Sequence, residues 1–212
     1  QTGEKFPFHN GIPVLYDASR LEGYNLQYNE FYRRTARFYD PALKTLAVLT
    51  GGRESKFRKQ FLRLLELRQD SKVLEVSVGT GTNLSLLPEN IHGYGLDLSW
   101  DMLSQCQKNA SRWNRKFELF YGNAEELPFR DEMFDVVFHV GGINAFSDRS
   151  KAISEMIRVA RHGTRIVIVD ETAKMMKALS WMPSARKMVE EWGDRFEAPV
   201  NLVPSEMQEI QV

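Results

Sequence analysis

From residue 72 onward, short apolar runs alternate with segments in which apolar residues recur at helical spacing. These runs are rich in β-branched and aromatic residues, which predicts five strands. The five runs read VLEVSV, HGYGLDL, FELFYG, FDVVFHV and TRIVIVD. Helices are predicted over 80–87, 99–113 and 148–161, with Ser99 and Asp148 as N-caps. Near-continuous apolar strands that alternate with helices predict an α/β fold, Rossmann-like and doubly wound, with a mostly parallel sheet and helices on both faces.

The pattern before residue 72 is different. Residues 6–23 are aperiodic and contain an Asn-Gly pair, which predicts an ordered arm or a short strand and turn. Residues 24–49 carry aromatic residues at helical spacing, with Asp40-Pro41 expected to interrupt the helix, and a second helix follows Gly51-Gly52. We therefore predict one compact domain that consists of two parts. Residues 1–71 are an N-terminal arm and helical lid, and residues 72–212 are the core.

Composition narrows the class of protein. The 212 residues are 42% hydrophobic and 26% charged, which is typical of a single soluble globular domain. The 28 acidic and 28 basic residues balance, so no nucleic-acid partner is expected. Cys106 is the only cysteine, which excludes a disulfide framework and suits a cytoplasmic location. No apolar run approaches the roughly 20 residues of a membrane helix, so membrane insertion is not expected.

Candidate chemistry collects where the predicted strands end. In an open parallel sheet, ligands bind beyond the carboxyl ends of the strands, near the point where strand order reverses. All five strands reach polar or glycine residues there, so together they predict one pocket. The residues are Glu75, Ser77, Gly79, Thr80 and Gly81 at the first strand, Asp97 and Leu98 at the second, Asn123, Ala124 and Glu125 at the third, His139, Val140, Gly141 and Gly142 at the fourth, and Asp170 and Glu171 at the fifth.

The turn with Gly79 and Gly81 allows two interpretations. In a dinucleotide site, glycines let the backbone approach a pyrophosphate, and an acid about 20 residues on binds the ribose, as Asp97 would. However, Leu84 stands at the third glycine position, and Glu75 would repel phosphates. S-adenosylmethionine has no phosphate and carries a sulfonium and an ammonium group. Charge therefore favours S-adenosylmethionine over a dinucleotide.

The order of these motifs resembles a known family. The series VLEVSVGTGTNL, GYGLDLSWDMLSQCQ, YGNAEELPFRDEMFDVVFHVGGINAF and MIRVARHGTRIVIVDE is similar to class I S-adenosylmethionine-dependent methyltransferases, in the branch with the ubiquinone/menaquinone biosynthesis methyltransferases. The resemblance covers the chain from about residue 73 to 171. The resemblance implies S-adenosyl-L-methionine as cofactor and a seven-stranded sheet whose last strand is antiparallel.

The resemblance also implies a role for individual residues. Glu75, Gly79 and Gly81 would lie near the methionine moiety, and Asp97 would hold the ribose. Leu98 and Met102 would flank the adenine, with Asn123 and Ala124 at its amino edge. We add the neighbouring polar or strand-end residues to the candidate cofactor-binding set. These are Ser77, Thr80, Asn83, Glu125, His139 and Val140.

Three departures from the family pattern stand out. Ser77 replaces a glycine, which is tolerable if the residue is extended but not if it needs a positive φ. Asn123 replaces an aspartate and keeps an oxygen that accepts hydrogen bonds. For the last two strands only EIQV remains, which is enough for one short strand. Either the closing hairpin is absent or the sheet is completed differently. An unpaired edge would allow a homo-oligomer to form through it.

The expected reaction is in-line methyl transfer to a small, partly apolar molecule. The catalytic candidates are His139 as a general base, and Tyr32 and Tyr39 on the lid helix. A hydrogen-bonded structural histidine and plain helix packing are the alternatives. An RNA methyltransferase is a weaker hypothesis, because the Asn/Asp-Pro-Pro-aromatic run of amine-methylating enzymes is absent where His139-Val140-Gly141-Gly142 stands. A non-catalytic partner subunit with this fold is the other alternative. No metal site is expected.

Overall fold

The computed structural model describes residues 6–49, 53–170, 177, 186, 189–190 and 196–212, with the backbone alone for 37–49, 53–57 and 59. The strands of the described chain are β1 (Phe8–His9), β2 (Ile12–Pro13), β3 (Lys72–Val76), β4 (His92–Asp97), β5 (Glu118–Tyr121), β6 (Val136–Val140) and β7 (Ile166–Val169). Its α-helices are α1 (Gly23–Leu49), α2 (Arg53–Leu64), α3 (Thr82–Ser85), α4 (Trp100–Arg112) and α5 (Arg149–Val159).

A five-stranded parallel sheet in the order β5-β4-β3-β6-β7 forms the centre of the protein. Strand order reverses between β3 and β6, where Leu74 lies between Tyr94 of β4 and Val137 of β6. Helices cover both faces: α2 and α4 pack on one apolar cluster and α5 on the other. The α/β, doubly wound and mostly parallel prediction is therefore confirmed.

The local signals mark most of the element boundaries correctly. The Ser99 hydroxyl accepts a hydrogen bond from the Met102 N–H at 3.3 Å, and the Asp148 carboxylate accepts one from the Lys151 N–H at 2.9 Å. Both residues have extended backbones directly before a helix, as N-caps do. The two predicted N-caps are confirmed.

Two predicted boundaries are wrong. The first helix is not interrupted at Asp40-Pro41, because α1 runs without a break from Gly23 to Leu49. A proline removes one backbone hydrogen bond of a helix, and the turns on either side retain theirs. The helix after the glycine turn begins at Thr82 rather than residue 80, because Gly81 is left-handed (φ +80°) and forms its N-cap.

The N-terminal arm (residues 6–16) lies on the β5 edge of the sheet. Strands β1 and β2 form an antiparallel pair, so the predicted strand and turn is confirmed. Val14 forms a parallel bridge with Tyr121, and the Leu15 N–H donates to the Tyr121 carbonyl at 2.9 Å. Trp100 stacks on the Tyr121 ring at 4.3 Å between centroids and meets the edge of the His9 ring. The arm thereby covers backbone groups that β5 would otherwise expose.

At the other edge, the described part of the chain shows β7 paired with β6 alone. The segment EIQV is not a strand, and its Ile210 is 48% exposed. The residues between 170 and 196 lie outside the described part of the chain, apart from 177, 186 and 189–190, which are helical. Within 196–212, Phe196 is buried and Leu202 packs on the cluster beneath α5.

Gly81 sets the distance between the glycine turn and α4. A Cβ atom built on Gly81 would lie 2.5 Å from the sulfur of Cys106, which is fully buried on α4. Gly81 is also left-handed, a conformation that costs an alanine about 1–2 kcal/mol. Gly79 is left-handed too (φ +53°), but a Cβ there meets no atom within 4 Å.

We predict that Gly81→Ala lowers the free energy of unfolding by about 2–4 kcal/mol, because backbone strain and overpacking against Cys106 add together. The matched variant Gly79→Ala incurs the strain alone and should lose only about 1 kcal/mol. Urea denaturation of the ligand-free proteins measures both. Equal losses in the two variants would contradict the packing role of Gly81.

Candidate functional site

Most of the predicted cofactor-binding residues lie in or directly after the carboxyl ends of the central strands, whereas Asn83 lies on α3 and Met102 on α4. Gly79 follows β3 and meets Asp97, which ends β4, through a hydrogen bond of 2.8 Å from the Gly79 N–H to Oδ2. The other carboxylate oxygen of Asp97 accepts a bond from the Ser99 N–H at 2.8 Å. One buried carboxylate thus fixes the glycine turn relative to the start of α4.

The Asp97 carboxyl is 8% exposed, and burial raises its pKa to about 6. The backbone donors at Ser99 and Gly79 act in the opposite direction and favour the ionised form. A carboxylate oxygen accepts more than one hydrogen bond. Asp97 therefore keeps accepting capacity for the paired hydroxyls of a ribose while it holds the turn.

Glu75 is a second buried acid in the centre of the sheet. Its Oε1 accepts a hydrogen bond of 2.6 Å from the Asn83 side-chain amide, and its Oε2 is buried without a hydrogen-bond partner. Burial raises the pKa of Glu75 to about 8, against the lowering effects of Asn83 and the Arg58 charge. A buried acceptor without a donor is costly unless a ligand supplies one. An ammonium group suits this oxygen, and a phosphate does not.

Ser77 adopts the conformation that a glycine prefers. Its φ is +58°, in the left-handed region, so of the two geometries left open by the sequence the position has the one that requires a positive φ. The chain turns sharply out of β3 here, and the turn rather than the residue type dictates the backbone angle. A serine in this region carries strain of about 1 kcal/mol that a glycine does not.

Thr80 and Asn83 complete the glycine turn. The Thr80 carbonyl accepts a hydrogen bond of 3.1 Å from the side chain of Asn109 on α4, and the Thr80 side chain is buried. Asn83, on α3, is buried between Glu75 and Arg58. The turn is therefore anchored to α4 by Thr80 and to β3 by Asn83.

The residues expected around the adenine form a group on the β4 and β5 side. Met102 is 2% exposed, and Leu98 is half-buried in the loop before α4. The Asn123 Oδ1 accepts a bond of 3.0 Å from the Glu125 N–H and caps a short 3₁₀ helix, Ala124–Glu126. The amide oxygen that was expected to contact the adenine therefore already accepts a hydrogen bond from the backbone. It has one further lone pair with which to accept a hydrogen bond from a ligand.

Helix α1 crosses the carboxyl ends of these strands. Its Asn25 side chain donates to the Glu125 carboxylate at 2.8 Å, and its Asn29 side chain donates to the Leu98 carbonyl. The Asn25 N–H also donates to the Ser147 hydroxyl at 3.2 Å. Sequence reasoning missed both asparagines. Their spacing of one helical turn on an otherwise aromatic helix was the available signal.

His139 is fully buried at the end of β6. Its Nδ1 lies 2.9 Å from the Val76 carbonyl, an acceptor, so Nδ1 carries the proton. Nε2 is buried and has no hydrogen-bond partner. Burial lowers the pKa of His139, and the Asp170 charge opposes this effect. The imidazole is therefore neutral near pH 7 and holds a lone pair at Nε2, as both a structural histidine and a general base would.

The other catalytic candidates lie on α1. The Tyr32 ring is half-buried and approaches Phe31 at 5.2 Å and Tyr28 at 6.1 Å between centroids. The Tyr39 side chain lies outside the described residues, although its backbone belongs to α1. A catalytic role for either tyrosine stays a prediction.

The loop after β6 is shaped by Asp170. This carboxylate, just past β7, accepts hydrogen bonds from the Gly142 N–H at 3.1 Å and the Asn144 N–H at 3.2 Å. Val140, at the start of the same loop, is half-buried. Asp170 is thus a loop-positioning residue as well as a charge near His139.

Comparison with known proteins agrees with this geometry. A family model described as "Methyltransferase domain" matches residues 74–168. The demethylmenaquinone methyltransferase of Bacillus cereus is 32% identical over 135 residues, which cover 61% of this chain and 57% of the relative. Residues 74–168 are therefore similar to methyltransferase domains. It spans little more than half the length of the curated relatives that it matches.

Solved structures share this fold. The YcgJ protein from Bacillus subtilis is 27% identical with a TM-score of 0.51, covering 55% of this chain and 50% of that one. A chain in the complex between the Haloferax volcanii Trm112 methyltransferase activator and the putative methyltransferase gives a TM-score of 0.55 at 18% identity, covering 76% and 75%. Among the described helices, none has the length and apolar character required to cross a bilayer.

The raised pKa of Glu75 predicts a pH-dependent stability. Because the folded protein holds a proton up to about pH 8 that the unfolded chain releases near pH 4.3, the free energy of unfolding falls as pH rises between these values. Glu75→Gln removes this contribution to the pH dependence of the free energy of unfolding. Relative to wild type, the variant should gain on the order of 4 kcal/mol between pH 5 and pH 8.5 in urea denaturation.

The exposed variant Glu89→Gln is the control for that experiment, and it should follow the wild-type pH profile. A Glu75→Gln profile parallel to that of wild type would show that Glu75 is already ionised at pH 5.

Ser77→Gly should leave cofactor affinity unchanged or tighten it, because glycine accepts the left-handed backbone without strain. Ser77→Ala keeps the strain and removes only the hydroxyl, so it separates the two effects. Isothermal titration with S-adenosylhomocysteine measures the affinity. A loss of tenfold or more in both variants would assign the hydroxyl a direct role in binding.

Proposed function

We propose that this protein transfers the methyl group of S-adenosylmethionine to a small, partly apolar acceptor of quinone-like chemistry. The observation that carries the proposal is the buried Glu75 Oε2, which has no hydrogen-bond partner and lies at the point where strand order reverses. A cationic group that donates a hydrogen bond would complement this oxygen. The ammonium of S-adenosylmethionine is such a donor, and the pyrophosphate of a dinucleotide would be repelled.

Further residues of the proposed site fit the rest of the cofactor. The Gly79 turn brings backbone groups beside the methionine end, while Asp97 accepts hydrogen bonds from the ribose hydroxyls. Leu98 and Met102 supply apolar surface for the adenine. S-adenosylmethionine itself supplies an activated methyl group, so the protein needs to hold the acceptor in line with it and exclude water.

His139 is the proposed proton acceptor. The Nδ1–H bond to the Val76 carbonyl leaves the lone pair on Nε2, and the lowered pKa keeps the ring neutral. A neutral imidazole near pH 7 takes a proton from a hydroxyl or an acidic carbon as the methyl group is transferred. Helix α1, with Tyr32 half-buried on it, would cover the acceptor. The name of the Bacillus relative supports a quinone-like acceptor.

Two further aspects belong to the proposal. The described part of β7 has a strand on one side only, which supports a homo-oligomer formed through that edge. A small-molecule acceptor and a balance of 28 acidic and 28 basic residues fit a cytoplasmic enzyme without a nucleic-acid partner.

The first test is isothermal titration with S-adenosylmethionine and S-adenosylhomocysteine. Wild type should bind both, and Asp97→Ala should weaken binding by about 100-fold, because two hydrogen bonds to a charged group and the fixed turn are lost together. Asp101→Ala, an exposed acid in the first turn of α4, should bind as wild type does. Absence of binding by wild type at millimolar ligand would overturn the proposal.

Turnover then separates an enzyme from a non-catalytic binding subunit. Labelled methyl transfer from S-adenosylmethionine would be measured against reduced quinones with short isoprenoid tails and a panel of phenols. His139→Gln should bind S-adenosylhomocysteine normally and lose most of kcat. Tight cofactor binding without transfer to any acceptor of this class would favour the partner-subunit alternative.

A further inference from the structure

We propose that Arg58 of α2 is a positioning residue for the cofactor: acting through Asn83, it holds Glu75 and forms with it a pair of opposite charges that fits the zwitterionic amino-acid end of the ligand. This inference rests on the proposed function and deepens it. Arg58 lies outside the stretch matched by the methyltransferase family model, which begins at residue 74.

The three side chains form a continuous series. The Arg58 Nη1 donates to the Asn83 Oδ1, and the Asn83 Nδ2 donates to the Glu75 Oε1 at 2.6 Å. An amide has distinct donor and acceptor ends. Because Arg58 can only donate, it selects the orientation of Asn83 in which the amide NH₂ faces Glu75. Without Arg58 the amide is free to turn its oxygen toward the carboxyl.

Glu75 itself is oriented by this contact. With Oε1 bonded to Asn83, the remaining oxygen, Oε2, is the one left buried without a partner. Glu75 and Asn83 are 0% and 6% exposed, so water does not readily replace either contact. The position of Oε2, and therefore of the group that it binds, follows from Asn83 and ultimately from Arg58.

The charges at the two ends of the series are complementary to an α-amino acid. Glu75 offers a carboxylate that can bind an ammonium group. Arg58 contributes a guanidinium, the side-chain group best suited to binding a carboxylate. The Asn83 amide bridges the two charged side chains. A ligand that carries both charges, as the methionine moiety does, is complementary to both ends.

Arg58 also affects the protonation of Glu75. The charged groups that act on Glu75 are Arg58 from α2, which lowers its pKa, and Asp97 from β4, which raises it. A carboxyl that binds an ammonium group has to be ionised. Removing the Arg58 charge therefore leaves a site that is more often protonated, and cofactor binding should then require a higher pH.

The decisive experiment compares two ligands in Arg58→Gln. S-adenosylhomocysteine has the amino-acid end, whereas methylthioadenosine lacks it and keeps the adenosine. Arg58→Gln should weaken S-adenosylhomocysteine binding about tenfold or more at pH 7 and change methylthioadenosine binding less than about twofold. Arg58→Lys restores the charge and should recover part of the affinity. Arg63→Gln, at an exposed site of the same helix, should match wild type.

A second measurement needs no cofactor. The side-chain carboxyl carbon of Glu75, labelled with ¹³C and assigned through Glu75→Gln, reports its protonation in the ligand-free protein. Arg58→Gln should move the Glu75 titration to higher pH, and Arg63→Gln should leave it in place. The pH dependence of S-adenosylhomocysteine affinity should move in the same direction.

The outcomes separate this inference from the proposed function. If wild type binds no S-adenosylhomocysteine, the proposed function fails, and the carboxyl titration alone decides whether Arg58 controls Glu75. If wild type binds but Arg58→Gln weakens both ligands equally, or neither, the amino-acid role of Arg58 is overturned. An unchanged Glu75 titration in Arg58→Gln would overturn the coupling through Asn83.

Discussion

The carboxylate of Asp97 joins the two halves of the site. It holds the Gly79 N–H with one oxygen and the Ser99 N–H with the other, so the turn after β3 and the start of α4 cannot move independently. The close approach of Gly81 to Cys106 packs the same turn against the same helix. A polar link and a packing contact thus fix the cradle in which a cofactor would lie.

Such an arrangement is unfavourable in the absence of a ligand. Asp97 and Glu75 are both buried, and burial raises the pKa of each. The two carboxyls also repel each other when both are ionised. A cationic ligand reverses this balance, because its ammonium group stabilises the ionised form of Glu75. Cofactor binding and protein stability are therefore linked, because a ligand that binds only the folded protein stabilises it.

Local signals in the sequence predicted the sheet, the caps and the strand-end residues, and they failed where distant contacts decide. Ser99 and Asp148 were identifiable because a cap is defined by its own helix. Ser77 was not, because its left-handed backbone follows from the turn that leaves β3. Arg58 and Asn29 also escaped notice. Their partners, Asn83 and Leu98, are 25 and 69 residues away, and no periodicity encodes such pairs.

The path of the chain before the core explains why those distant contacts matter for the site. From the β5 edge the chain proceeds along the carboxyl ends of the strands: Arg20 pairs with Glu126, Asn25 bonds Glu125, and Asn29 bonds the Leu98 carbonyl. These contacts follow one another along a single face of the site. Since β2 already fixes the start of this segment against β5, α1 has little freedom to slide. The first two turns of α1 are therefore held at the carboxyl ends of the strands by polar contacts from Asn25 and Asn29.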